Sequence, residues 1–202
     1  DKTINLYFCK KENMDIVYNF SDLDLTKTYS YSDYLMWQFQ ERVELIKGFI
    51  RKMSPAPNMG HQTVSQNLSG CFYENFKRKP CRVFVAPFDV RLPIKSEKKD
   101  TTVVQPDLCV ICDETKLDEK GCNGAPDLMV EIISPNNSKH DLHTKFNLYK
   151  EAGVLEYWII EPIEKMLLIY TLKDNEYIGL PPQTIDDNIK SPLFPQLQIA
   201  LD

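Results

Sequence analysis

Apolar positions along the chain change their spacing often, and the changes lay out a succession of short elements. Val43-Glu44-Leu45-Ile46 and Phe49-Ile50-Arg51-Lys52-Met53 flank Lys47-Gly48. Two β-rich runs about a two-residue turn ending in glycine predict a hairpin. Before it, Ser30 or Ser32 is placed to cap a short helix through Gln40, with Leu35 and Phe39 spaced for one face. Beyond the break at Ser54-Pro55-Ala56-Pro57-Asn58, the residues Val64, Leu68, Cys71, Phe72 and Phe76 recur at helical spacing. That run extends from His61 to about Lys79 and is stopped by Pro80. Strand patterns follow at Val83-Phe84-Val85, Phe88–Leu92, Pro106–Ile111 and Pro126–Ile133. The last two share Pro-Asp-Leu-x-Val, as two neighbouring strands each opened by a proline would. Ser138 with Asp141 has the form of a capping box, opening a helix that closes at Gly153. Tyr157-Trp158-Ile159-Ile160 suits a central strand, and Met166–Thr171 forms another after the turn at Glu161–Lys165.

This order, α, β-hairpin, α, several β, α, β, β, describes a mixed α/β domain. At 202 residues the chain is sized for one domain. Residues 1–28, mixed in polarity and weakly periodic, read as an N-terminal extension to a single domain over residues 29–202.

Net charge is −5, from 24 basic and 29 acidic residues, which excludes a broadly basic protein that binds nucleic acid by counterion release over its whole surface. It leaves room for one local basic strip, or for acids gathered around a metal. Lys77-Arg78-Lys79 with Arg82, and Lys95 with Lys98-Lys99, are the obvious phosphate-contacting stretches. No uncharged apolar run approaches membrane length, so no membrane partner is expected. The N-terminal residues lack the regions of a signal peptide, and the expectation is a cytoplasmic chain whose six cysteines are reduced. Cys109 and Cys112, three apart on a strand, point to opposite faces and read as small core residues.

Acidic residues on apolar strands are the most informative chemistry. Glu131 interrupts the otherwise apolar Leu128–Ile133, and a carboxylate on a strand buried on both faces needs a partner or a metal. Asp107 opens the earlier strand and would stand beside Glu131 if the two strands are neighbours; alternatively it punctuates a turn after proline. Two converging carboxylates repel unless a cation or a shared proton relieves them, and hard oxygen donors favour Mg²⁺ or Mn²⁺ over zinc. Lys145 lies at the margin of the helix face formed by Leu142, Phe146 and Tyr149. From there it can reach inward to carboxylates or pair with Asp141 on the surface. Glu44 shares a hairpin face with Ile46 and reads by default as solvated. His61 reads as a cap or solvated residue, and His140 and His143 lack a third partner for zinc. No Gly-rich phosphate loop, serine nucleophile elbow or His-Glu-x-x-His occurs.

In order along the chain, Glu44-Leu45-Ile46-x-Gly48, Met53-Ser54-Pro55 with His61, Val104-Gln105-Pro106-Asp107, and Ala125–Pro135 form a series. Lys145 with Tyr149, Gly153-Val154-x-Glu156-Tyr157-Trp158 and Phe194-Pro195-x-Leu197 complete it. The series resembles the Uma2 family of predicted endonucleases, from about Tyr31 to the C-terminus. The resemblance implies a restriction-endonuclease-like, PD-(D/E)xK-type αβββαβ core, with a mixed central sheet flanked by helices. It implies that Asp107 and Glu131 ligate Mg²⁺ or Mn²⁺, that Glu44 adds an acidic contact, and that His61 is an accessory residue. The superfamily's lysine usually stands two residues beyond the strand carboxylate, a place held here by Ile133. The family takes it from the following helix, which makes it Lys145. Lys47 and Phe49 stand where the family commonly carries acids.

The function implied is metal-dependent endonucleolytic hydrolysis of nucleic acid, DNA before RNA, with homodimer formation suited to cutting two strands. The alternative is a non-catalytic member that keeps the fold as a binding or regulatory module.

Overall fold

The computed structural model describes residues 15–53, 58–96, 100–133, 139–184 and 187–199. Helix α1 is Tyr31–Tyr34, opened by a capping box in which the Ser30 hydroxyl accepts from Asp33 N and the Asp33 carboxylate accepts from Ser30 N. It is one turn long and does not continue to Gln40: Leu35 closes it, and the chain turns so that Gln38 N donates to the Val17 carbonyl. That exchange pairs the chain before α1 with the chain after it. Phe20, in a 3-10 turn over Phe20–Asp22, meets Phe39 edge-on.

Strands β1 (Val43–Ile46) and β2 (Phe49–Lys52) form the expected hairpin. Lys47 and Gly48 both have positive φ, 52° and 84°, as a two-residue turn matched to strand twist requires. A side chain at Gly48 would also meet Thr28 at 2.9 Å. Helix α2 is Met59–Phe76, with the Asn58 side chain accepting from His61 N at its start. Then come β3 (Arg82–Val85), β4 (Val90–Arg91), β5 (Val103–Val104), β6 (Leu108–Ile111), β7 (Leu117–Asp118), β8 (Gly121–Asn123) and β9 (Leu128–Ile132). Helix α3 is Lys139–Ala152, and Gly153 at φ 89° ends it. Ser138, the first half of the expected capping box, lies outside the described residues. The chain finishes with β10 (Glu156–Glu161), β11 (Met166–Lys173), β12 (Glu176–Gly179), β13 (Ile189–Lys190) and β14 (Gln198–Ile199).

The central sheet runs β12-β11-β10-β9-β6-β3. Its β9–β10 pair is parallel and spanned by α3, whereas β6 lies between β3 and β9 and is antiparallel to both. Read as α2-β3-β6-β9-α3-β10, this is the αβββαβ core within a mixed sheet. Alternating side chains divide it cleanly. Val130, Ile132 and Trp158 face α2 through Leu68, Phe72 and Phe76. Met129, Tyr157 and Ile159 face α3 through Leu148 and Tyr149.

The sequence reading did not anticipate a second six-stranded sheet, β2-β1-β5-β4-β8-β7. Its strands are mostly two to four residues long, too short for periodicity to show. Its Ile46, Val90, Val104 and Cys122 join the α3-side core. That contact carries Glu44, on β1, toward the central sheet.

The expectation of reduced thiols is corrected in one place: Cys81 and Cys112 form a disulfide. They face each other because Arg82 pairs with Ile111 across β3 and β6, one step away. Cys109 is buried on the opposite face, as expected, but Cys112 is a cross-link and not a plain core residue. Among the described residues no helix is long and apolar enough to cross a membrane.

Candidate active site

Four elements converge at one end of β9. Glu131 is its fourth residue, 6% exposed, on the face that looks toward α3. Burial is the largest influence on its carboxyl and pushes it up to about 7. Lys145 opposes that rise, the like charges of Asp107 and Glu44 add to it, and a hydrogen bond from Tyr149 subtracts from it. The Tyr149 hydroxyl donates to Glu131 Oε1 at 2.5 Å. Tyr149 follows Lys145 by four residues, so both rise from the same face of α3.

Lys145 turns inward from the edge of the helix face, as its position suggested. Its Nζ lies 2.9 Å from Glu131 Oε1 and 3.0 Å from Glu44 Oε1. Burial works against its charge, but Glu131 and Glu44 outweigh burial and hold the ammonium firmly protonated. Glu44, read by default as solvated, is 5% exposed. Its Oε1 also accepts from the backbone N–H of Gln105 at 3.0 Å, so the second sheet delivers a buried acid to a helix of the central core.

Asp107 stands one residue before β6, whose pairing with β9 sets Leu108 opposite Val130. Its Oδ2 accepts from Ile132 N at 2.8 Å, which fixes the carboxylate against the end of β9. Its Oδ1 lies 3.3 Å from His61 Nε2, at the N-terminal end of α2. The hydrogen bond to Asp107 raises the His61 imidazole above its ordinary range, against the effect of burial. His61 Nδ1 is buried with no hydrogen-bond partner among the described residues.

Glu44, Asp107, Glu131, Lys145 and His61 are thus brought to one locality. The arrangement is two linked groups: Glu44–Lys145–Glu131, and His61–Asp107 held to the strand that carries Glu131. Carboxylate oxygens of Asp107 and Glu131 are the donor chemistry of Mg²⁺ or Mn²⁺, and Mg²⁺ is commonly held by one or two carboxylates with waters completing its shell. On that chemistry the two acids fit such an ion. Among the described residues no three or more His, Cys, Asp or Glu side chains form a metal cage, and Glu44 Oε1 is occupied by Lys145 and the Gln105 amide.

Two contributors escaped the sequence reading. Tyr149 was legible as part of the apolar stripe and, with Lys145, of the motif series, but no role was assigned to its hydroxyl. Gln105 acts through its backbone, which no side-chain pattern can reveal. Lys47, at a position where the family commonly has an acid, pairs at 2.7 Å with Glu151 of α3, and Ser96 donates to the same carboxylate.

Comparisons with known proteins agree with this fold. A crystal structure of a "putative nuclease" from Anabaena variabilis superposes with a TM-score of 0.66 at 20% identity, covering 86% of this chain and 95% of that one. "Uncharacterized protein slr1290" of Synechocystis sp. is 26% identical over 130 residues, which are 63% of this chain and 65% of that protein. The chain therefore spans about two thirds of that relative's length. The family model for Uma2, described as "Putative restriction endonuclease", matches residues 31–202. With nearly the whole described domain inside that match, the chain belongs to the Uma2 family.

Proposed function

We propose that this protein is a divalent-metal-dependent endonuclease hydrolysing phosphodiester bonds of nucleic acid, DNA before RNA. The observation that carries the reading is the buried ammonium of Lys145 set against Glu131 and Glu44, with Asp107 fixed to the same strand end. Asp107 and Glu131 would hold Mg²⁺ or Mn²⁺, with Glu44 as a further acid. Such an ion, when bound, polarises a phosphate oxygen and lowers the pKa of a bound water.

The chain's own groups divide the remaining work. Ile132 N–H holds Asp107 in one orientation, and Tyr149 does the same for Glu131. The Gln105 amide and Lys145 hold Glu44. Lys145 offers a positive charge where negative charge accumulates on the scissile phosphate in the transition state. His61 supports Asp107 from the other side. Exposed cations such as Lys95, Arg78 and Lys79 supply backbone contacts to phosphate. A cytoplasmic location and action as a homodimer belong to the same proposal. The second reading, a non-catalytic binding module, draws on Lys145 neutralising both Glu131 and Glu44 within the buried cluster.

The deciding experiment is nicking of plasmid and single-stranded DNA with Mg²⁺ or Mn²⁺, using wild type, Asp107→Ala, Glu131→Ala and Lys145→Ala. Cleavage by wild type and its loss in the three variants is the expected result. Equal cleavage by all four overturns the site. No cleavage by any, with no thermal stabilisation by either ion, selects the non-catalytic reading.

A further inference from the structure

The far end of α2 carries a feature that the acidic site does not use. A groove of about 780 Å³ opens there, lined among others by Tyr73, Lys77, Arg78, Lys79, Arg82 and Phe84. We propose that this groove anchors a single-stranded segment of the nucleic acid, at a distance from the acids. The assignment rests on the nuclease reading for its purpose, while its binding chemistry stands by itself.

Charge is the first argument. Lys77 pairs with Glu74, and Arg82 with Glu114 at 3.0 Å, so those four charges cancel locally. Arg78 and Lys79 form no ion pair among the described residues and are exposed. Arg78 has φ 62°, a sharp turn that ends the helical course and presents this basic run at the rim. The negative end of the helix opposes an anion with about half a charge, against two unpaired cations. The balance favours phosphate.

Aromatic exposure is the second argument. Tyr73 is 63% exposed on the groove wall, where its ring face is open to a stacking partner. Phe84 also borders the groove, but its ring stacks on Phe88 with centroids 4.1 Å apart and packs toward the α3-side core, which leaves Tyr73 as the stacking platform. Cations beside exposed rings are the pairing that binds single strands, because unpaired bases present faces for stacking. A duplex would offer mainly phosphates and base edges, leaving Tyr73 without use. The Cys81–Cys112 link ties the start of this wall to β6, so the basic turn is carried on a braced strand.

Spacing is the third. Lys77 lies 16 residues beyond His61 along α2 (77 less 61). At 1.5 Å per residue that is about 24 Å. A strand held in the groove could therefore run along α2 toward Asp107.

The test is fluorescence anisotropy of the full chain in EDTA, with a labelled oligothymidylate of about twelve nucleotides and a duplex of equal length. Wild type should bind the single strand more tightly. Arg78→Glu with Lys79→Glu should weaken binding about tenfold or more, and Tyr73→Ala about fivefold or more. Lys173→Glu, at an exposed lysine on β11 across the central sheet from the groove, should bind as wild type does. Absence of binding, or variants indistinguishable from wild type, overturns the anchor. Equal affinity for duplex with no effect of Tyr73→Ala overturns the single-strand assignment. Intact groove-dependent binding without any cleavage upholds the anchor and sinks the nuclease reading instead.

Discussion

Lys145 Nζ stands 2.9 Å from Glu131 Oε1, although 14 residues separate them in the chain. On the proposed reading, the cation that the superfamily pattern expects two residues beyond its strand acid arrives here from the next helix. The parallel β9–β10 crossover makes this substitution workable, because it lays α3 over the face on which Glu131 points. Ile133 can then remain part of the apolar core.

Removing Lys145 leaves two buried carboxylates facing each other. Lys145→Met should destabilise the fold by about 3–5 kcal/mol, the range for deleting one partner of a buried ion pair. Adding Glu131→Gln to that variant should recover part of the loss. Urea unfolding of the single and double variants measures both quantities; a loss below about 1 kcal/mol in the single variant would show that the cluster is effectively solvated.

Tyr149→Phe keeps the ring and deletes only the donor to Glu131. A hydrogen bond to a charged acceptor in a buried setting contributes about 1.5–3 kcal/mol, and a loss of that size is expected. The substitution also removes an interaction that lowers the Glu131 carboxyl, so Glu131 should titrate at higher pH than in wild type. Carboxyl-carbon NMR of the two proteins reads the shift, and no upward movement would contradict the assigned hydrogen bond.

Glu156 gives a pH dependence away from the candidate site. It is fully buried and accepts from Trp158 Nε1 at 2.6 Å and Leu193 N at 2.7 Å, tying the C-terminal segment to β10. Burial raises its carboxyl above the ordinary value, and these hydrogen bonds only partly offset the rise. A raised acid favours the protonated folded form. Its stabilising contribution is complete below the unfolded carboxyl value and is lost as pH rises through the folded one. The stability of wild type relative to Glu156→Gln should therefore fall as pH rises from the ordinary glutamate value, about 4.3, through the raised value of the folded state. Thermal melts of both proteins across that window would contradict the account if the difference widened.

Lys47 and Glu151 join the hairpin of the second sheet to α3 through partly exposed side chains. Solvent screening limits such a pair, and a double-mutant cycle of Lys47→Ala and Glu151→Ala should give a coupling of about 1 kcal/mol or less. The coupling should shrink as salt is added. A coupling that is both larger and salt-independent would place the pair among the buried interactions of the core.

What the sequence determined follows from local rules. Lys47-Gly48 allowed the left-handed turn, Asn58 and Pro80 bracketed α2, and strand alternation put Glu131 on the face of Met129. The ordered motifs identified the αβββαβ core and the family. Helical spacing put Lys145 at the margin of the core-facing stripe and left an outward pairing with Asp141 open. Other features depended on contacts between residues far apart in sequence. Glu44 became buried only because short strands such as β4 and β5 assembled a second sheet against the α3 side of the core. Cys81 and Cys112 met only through the β3–β6 register, 31 residues apart. The one-turn length of α1 depended on pairing between Gln38 and Val17. Periodicity records which face of an element turns inward, whereas the identity of the neighbour on that face is set by how the layers pack.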